Sequence, residues 1–198
     1  MRSSSLLEEL PEVQDRRESQ EQRFKSALRE IVDTALLMLL IFIVVRVAVH
    51  TFRIEGVSME PNLHDGQYLI VNKLVYYFRS PQRGDIVVFH YPRNPRRDFI
   101  KRVIGLPGEK VEIKGEHIFI NDEELEEPYT VHEGNYAWGP QVMGPDEYFV
   151  LGDNRNSSSD SHNWGPVPRD DIIGKAWISY WPPNYWGFVP HYSYSAPD

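Results

Sequence analysis

Residues 31–49, IVDTALLMLLIFIVVRVAV, form a nineteen-residue run broken only by Asp33, Thr34 and Arg46. As a helix rising 1.5 Å per residue it reaches about 28 Å, close to the hydrocarbon thickness of a bilayer. A stretch this apolar has three readings: an uncleaved membrane anchor, a buried core helix, or a removable export signal. It is longer than the apolar part of a usual export signal and begins some thirty residues into the chain. It also lacks an A-x-A exit, for which Val47-Ala48-Val49 is a poor imitation. The anchor fits best and is placed at residues 27–50, with Asp33 and Arg46 near enough to its ends to reach the headgroups. Arg16, Arg17, Arg23, Lys25 and Arg29 precede it, whereas only Arg53 follows before Lys73. The positive-inside bias then makes residues 1–26 a cytoplasmic polar tail and residues 51–198 an extracytoplasmic domain.

Beyond residue 51 the texture changes. Short runs rich in β-branched and aromatic residues recur at 68–71, 86–90, 99–104, 110–113, 117–120, 148–151 and 172–180. Turn-forming pairs separate them, among them Asp65-Gly66, Arg83-Gly84, Pro107-Gly108 and Lys114-Gly115. No amphipathic helical pattern follows the anchor. The expectation is a mainly β domain of antiparallel sheet, preceded by one transmembrane helix. Residues 121–147, with Pro128, Pro140 and Pro145, read as a less regular excursion between two core strands. A net charge of −8 with no basic stripe argues against nucleic acid as a partner. The absence of cysteine removes disulfides, thiolate metal sites and cysteine nucleophiles.

Three segments carry candidate chemistry. Ser58 lies nine residues past the apolar run in G56-V-S-M-E-P61, where Gly56 and Pro61 predict a non-helical turn that holds an exposed hydroxyl beside the membrane. Lys101 lies in D98-F-I-K-R-V-I-G105, where strand alternation gives it apolar neighbours, Phe99 and Val103, on its own face and turns Arg102 to the other. Burial disfavours an ammonium. A lysine lowered from about 10.4 to about 8 is neutral in roughly a tenth of molecules at pH 7, enough to serve as a base for a serine that hardly ionises by itself. The plainer alternative is a strand lysine that snorkels to water. The third segment, G152-D-N-R-N-S-S-S-D-S-H-N-W-G165, is dense in short polar side chains that build rigid turns. A calcium-like site from Asp153, Asn154 and Asp160 is a poor fit, because Arg155 intrudes and no glutamate closes the loop.

Taken in order, G-V-S58-M-E-P-N-L, R83-G-D-I-V-V-F89, D98-F-I-K101-R-V-I-G-L-P-G108 and G152-D-N-R-N-S-S-S-D160 closely resemble the boxes of bacterial type I signal peptidases, with the apolar run in the place of their anchor. The resemblance covers roughly residues 27–182. It implies a serine endopeptidase that removes signal peptides from exported preproteins after small residues of A-x-A type, using Ser58 as nucleophile and Lys101 as general base. Ser158 matches a serine that orients the lysine amine. Asp160 matches a supporting acidic residue, and Arg102 and Asp153 match a pair that braces two strands. The backbone N–H of the nucleophile matches an oxyanion donor. Some members help it with a hydroxyl two residues upstream, but that position here is Gly56. His162 stands where many relatives carry arginine.

The resemblance also implies that an extended signal-peptide end pairs with edge strands near 52–57 and 98–100, Asp98 among them. It implies two shallow apolar pockets, one walled by Met59, Leu63 and Val150, the other by Ile54, Leu69, Val88 and Ile100. Each of these residues also reads as plain core. No cofactor and no metal are implied. The expected partners are preproteins, the lipid bilayer and the export machinery, and the membrane is the plasma membrane or a thylakoid. Two other readings of the residues stay open: a Ser58–His162–Asp160 triad, and an anchored β-domain that binds exported peptides without cutting them. A soluble self-cleaving regulator on a related β-scaffold would explain the Ser–Lys pair but not the apolar run.

Overall fold

A computed structural model describes residues 9–130 and 134–194, with side chains from residue 23 onward. The chain divides into two compact units, residues 1–46 and 47–198. The first is helix α1 (Glu9–Ala48), whose stretch Arg23–Ala48 is long and apolar enough to cross a membrane. Its large apolar side chains are all exposed, from Phe24 at 70% to Leu28 at 50% and Val47 at 54%. A soluble protein does not leave so long an apolar surface against water. The helix ends at Ala48, two residues before the boundary read from the sequence, because Val49 already pairs with Asn72 in a sheet.

The second unit is built from β1 (Val49–Arg53), β2 (Tyr68–Asn72), a turn of helix α2 (Val75–Phe78), β3 (Ile86–Tyr91), β4 (Asn94–Gly105), β5 (Lys110–Gly115), β6 (His117–Ile120) and β7 (Glu123–Glu124). It continues with β8 (Tyr136–Val142), β9 (Glu147–Leu151), α3 (Ser161–Trp164), β10 (Val167–Pro168), β11 (Ile172–Trp181) and β12 (Gly187–Phe188). Every strand pair is antiparallel. The larger sheet runs β1-β2-β11-β3-β4-β9-β10, with β12 paired to β11, and the smaller runs β7-β6-β5-β8.

Alternation along β4 and β9 explains why both are buried on two faces. Val103, Tyr148 and Val150 pack with Val87, Phe89 and Trp164, whereas Ile104, Phe149 and Leu151 pack with Val111, Ile113 and Ile118 of the smaller sheet. A third cluster gathers Ile54, Met59, Leu63, Leu69, Val88 and Ile100 under β1 and β2. Strand β8 falls inside the stretch read as irregular. Pro140 and Gly139 disguise it, but β8 is the outer strand of its sheet, where a missing N–H is tolerated. Tyr136 and Trp138, two residues apart, pack from it onto the smaller sheet's core.

Candidate active site

Ser58 sits on the turn between β1 and β2. Gly56 supports that turn with φ +90, a left-handed conformation, and its N–H donates to Asp65 Oδ1 at 2.8 Å. The N–H groups of Asn62 and Leu63 close back on the Met59 carbonyl, and the side chains of Met59 and Leu63 are buried. They anchor the turn from below while Ser58 stays at its surface. The Ser58 carbonyl accepts from Asn154 N at 3.1 Å, which ties the turn to the loop after β9.

Strand β4 presents Lys101 from the opposite side. Its Nζ lies 2.7 Å from Ser58 Oγ and donates to the Ile100 carbonyl at 2.8 Å. Lys101 is 4% exposed, and Phe99 covers the amine at 5.6 Å from its ring centroid. Burial pulls the amine down to about 8, although the nearby Asp160 and Asp153 carboxylates favour the charged form. Desolvation wins because both carboxylates are engaged by other partners.

Those partners define the loop at 152–160. The wholly buried Arg102 makes a two-pronged contact with the wholly buried Asp153, Nε to Oδ1 at 2.8 Å and Nη2 to Oδ2 at 2.7 Å. It points away from Lys101, as alternation requires. Asp153 also accepts from Asn62 Nδ2 at 2.8 Å, which ties it to the serine turn. Asp160 caps α3 and accepts from Gly152 N at 3.0 Å, while its other oxygen lies 2.5 Å from His162 Nδ1. The His162 ring stacks on Tyr136 with centroids 4.0 Å apart. Asp160 and Tyr136 thus hold the imidazole on two sides. Both carboxylates of the loop are thus engaged by protein groups.

Ser158 is half-buried, but its Oγ is itself out of solvent and has no hydrogen-bond partner among the described residues. The expected bond to the Lys101 amine is not made. The amine instead contacts Ser58 and the Ile100 carbonyl. The Ser–His–Asp alternative is not assembled either: among the described residues, Ser58 Oγ contacts Lys101, and His162 is taken up by Asp160 and Tyr136.

A groove of about 640 Å³ runs past the pair, lined by residues 50–53 and 55–58 on one side and 97–101 on the other, with Ser157 and Ser159. Both walls are strand edges. β1 is the last strand of its sheet, and β4 pairs with β9 only from Arg102 onward. At the far end Asp98 meets His90 Nδ1 at 2.7 Å and His50 Nε2 at 3.7 Å. Of the residues expected to contact substrate, Asp98 and Ile100 line this groove. Ile54, Met59, Leu63, Leu69 and Val88 pack behind it in one cluster and Val150 in another.

Two positioning residues went unrecognised in the sequence. A Cβ on Gly152 would stand 2.3 Å from Ser158 Oγ and 2.5 Å from the Ser58 carbonyl, so only glycine fits there. Arg155 is buried and pairs with Glu127 through both guanidinium nitrogens, at 2.6 and 2.5 Å, pinning the excursion to the loop. The density of small polar residues at 152–160 pointed to the loop, but nothing local pointed to a partner 28 positions away.

The site thus sets a buried amine carried on a strand against a hydroxyl carried on a turn. Comparison with known proteins makes the assignment specific. The family model described as signal peptidase, peptidase S26, matches residues 28–181. Signal peptidase I of Leptolyngbya laminosa is 45% identical over 170 residues, 82% of this chain and 84% of that one. A probable signal peptidase I-2 of Synechocystis is 40% identical, covering 71% and 69% of the two chains. Signal peptidase IB of Staphylococcus aureus is 35% identical, covering 80% and 91%. The chain belongs to the signal peptidase family, peptidase S26, and is an enzyme of that family.

Proposed function

We propose that the chain is a membrane-anchored serine endopeptidase that removes signal peptides from exported preproteins after small residues, with Ser58 as nucleophile and neutral Lys101 as general base. The observation that carries this reading is the 2.7 Å approach of a buried amine to Ser58 Oγ. The amine takes the hydroxyl proton as Oγ attacks the scissile carbonyl, and the C–O bond forms while the carbonyl π pair moves onto oxygen. The resulting ammonium returns the proton to the leaving amine as the C–N bond breaks. Water, deprotonated by the same lysine, then releases the acyl group from Ser58. The Ser58 backbone N–H supplies the oxyanion donor, because Gly56 carries no hydroxyl. Ser158, whose buried hydroxyl has no partner among the described residues, is available to orient the amine.

Arg102 and Asp153 hold β4 to the loop, and Asp160 holds the loop to α3. The groove between the β1 edge and residues 97–101 suits one extended strand paired on both sides, with its last residues over Ile100 and the Lys101–Ser58 pair. Arg23–Ala48 crosses the membrane with the basic flank in the cytoplasm, leaving the catalytic domain on the far face of a plasma or thylakoid membrane. In detergent, the purified chain should cut a preprotein once, at the end of its signal peptide, and Ser58→Ala and Lys101→Ala should each abolish the cut. Undiminished cleavage by either variant would reject the mechanism.

A further inference from the structure

The family match ends at residue 181, yet the chain beyond it returns to the brace behind the catalytic pair. After β12, Val189 N donates to the Trp177 carbonyl at 2.9 Å, and the Val189 side chain is buried with Ile54, Met59 and Ile100. The Pro190 carbonyl accepts from both Nη1 and Nη2 of Arg102, each at 3.3 Å. Together with Asp153 and the Gly84 carbonyl at 3.0 Å, it completes the five N–H bonds that a guanidinium can donate.

His191 inserts next. Ile86 N donates to its Nδ1 at 3.0 Å, so the ring proton lies on Nε2, which donates to the Ala176 carbonyl at 2.7 Å. Burial holds this imidazole down at about 4, so it is neutral across the working range. Tyr192 N donates to the Gly84 carbonyl at 3.3 Å, and Gly84 has no room for a side chain because a Cβ would collide with the Tyr192 carbonyl. The Tyr194 hydroxyl meets that of Tyr129 at 2.8 Å, and the Tyr129 ring covers Arg102 at 4.0 Å.

We infer that residues 189–194 are a positioning strap for catalysis: they close the back of the Arg102–Asp153 brace, which sets the loop at 152–160 and, through the Asn154–Ser58 bond, the nucleophile against Lys101. A fully buried guanidinium short of acceptors draws in water or moves. Either response loosens Asp153, whose neighbour Asn154 holds the Ser58 carbonyl. No residue of the strap lines the substrate groove. Its loss should therefore act on turnover rather than on substrate affinity, and should rehydrate Lys101.

This inference rests on the Ser58–Lys101 reading, and its test keeps the two separable. In detergent, the full chain is compared with a chain stopped after Phe188, with that chain plus a synthetic peptide of residues 187–194, and with His191→Ala, His191→Gln and Lys101→Ala. The stopped chain should lose about tenfold or more in kcat with KM changed less than about twofold. Its acidic limb should move up from about 8 towards the ordinary lysine value. The peptide should restore both saturably. His191→Ala should show the same split, and His191→Gln, which keeps a donor and an acceptor, should recover part of it. A folded stopped chain with unchanged kcat and acidic limb would overturn the strap, as would a loss confined to KM. If the stopped chain does not fold, an unchanged kcat and limb in His191→Ala overturn it instead. Activity in Lys101→Ala removes the dyad reading, whereas an inactive Lys101→Ala beside an unaffected stopped chain removes only the strap.

Discussion

The Lys101 amine occupies a dry position on β4 in contact with the Ser58 hydroxyl. On the proposed mechanism, in which the neutral amine is the base, kcat/KM should rise with pH as a single ionisation near 8 and reach about a tenth of its plateau at pH 7. A profile already flat at pH 6 would contradict an amine base. The same shift acts on stability, with a definite sign. The unfolded chain binds this proton up to about 10.4 but the native chain only up to about 8, so native stability rises with pH across that window. Below about 8 the full penalty, on the order of 3 kcal/mol, is present. Lys101→Met should therefore abolish cleavage and raise the denaturant midpoint at pH 7, with the gain fading towards pH 10. Gly152→Ala tests the opposite kind of residue, one with no titrating group at all. Its methyl group would meet Ser58 and Ser158, so it should cost about 1–3 kcal/mol of stability and reduce kcat by about a hundredfold.

At the scale of elements, β4 is the strand on which the site turns. Its register against β3 sets Val87 opposite Lys101 and Ile86 opposite Arg102, which puts base and brace on opposite faces of the strand. Removing one partner of the buried Arg102–Asp153 pair leaves a charge with no compensation. Arg102→Met should cost about 3–5 kcal/mol, and the double variant Arg102→Met/Asp153→Leu should recover much of that. A double-mutant cycle in urea measures it; additive losses would mean that the pair is not coupled. The alternation that separates these roles was legible in D98-F-I-K-R-V-I, and most strands were legible from their apolar runs and turn pairs. Strand β8 was not, because an outer strand carrying Gly139 and Pro140 draws its order from the neighbouring β5 rather than from its own pattern. The substrate-side residues were harder still. Ile54, Leu69 and Val88 look the same in sequence whether they wall a pocket or fill a core.

For the whole molecule, the apolar helix and the β-domain are separate compact units, and the domain has its own core of three clusters. A chain beginning at residue 47 should stay folded and cut a short soluble peptide at a rate within a few-fold of the full chain. It should also lose its affinity for vesicles and cleave membrane-inserted preproteins more slowly. Co-sedimentation and a two-substrate assay check this; equal loss on both substrates would show that the helix contributes to the site itself.

By itself the sequence determined the local terms. The nineteen-residue apolar run, the period-two alternation around Lys101, the turn at Gly56 and the ordered boxes are short-range patterns whose physical consequences do not depend on the rest of the chain. Tertiary structure decided which distant groups meet. It brought Lys101 to Ser58 across 43 positions, Arg102 to Asp153 across 51 and Arg102 to Pro190 across 88. It also gave the lysine its lowered pKa, because desolvation belongs to the packed environment and not to the residue.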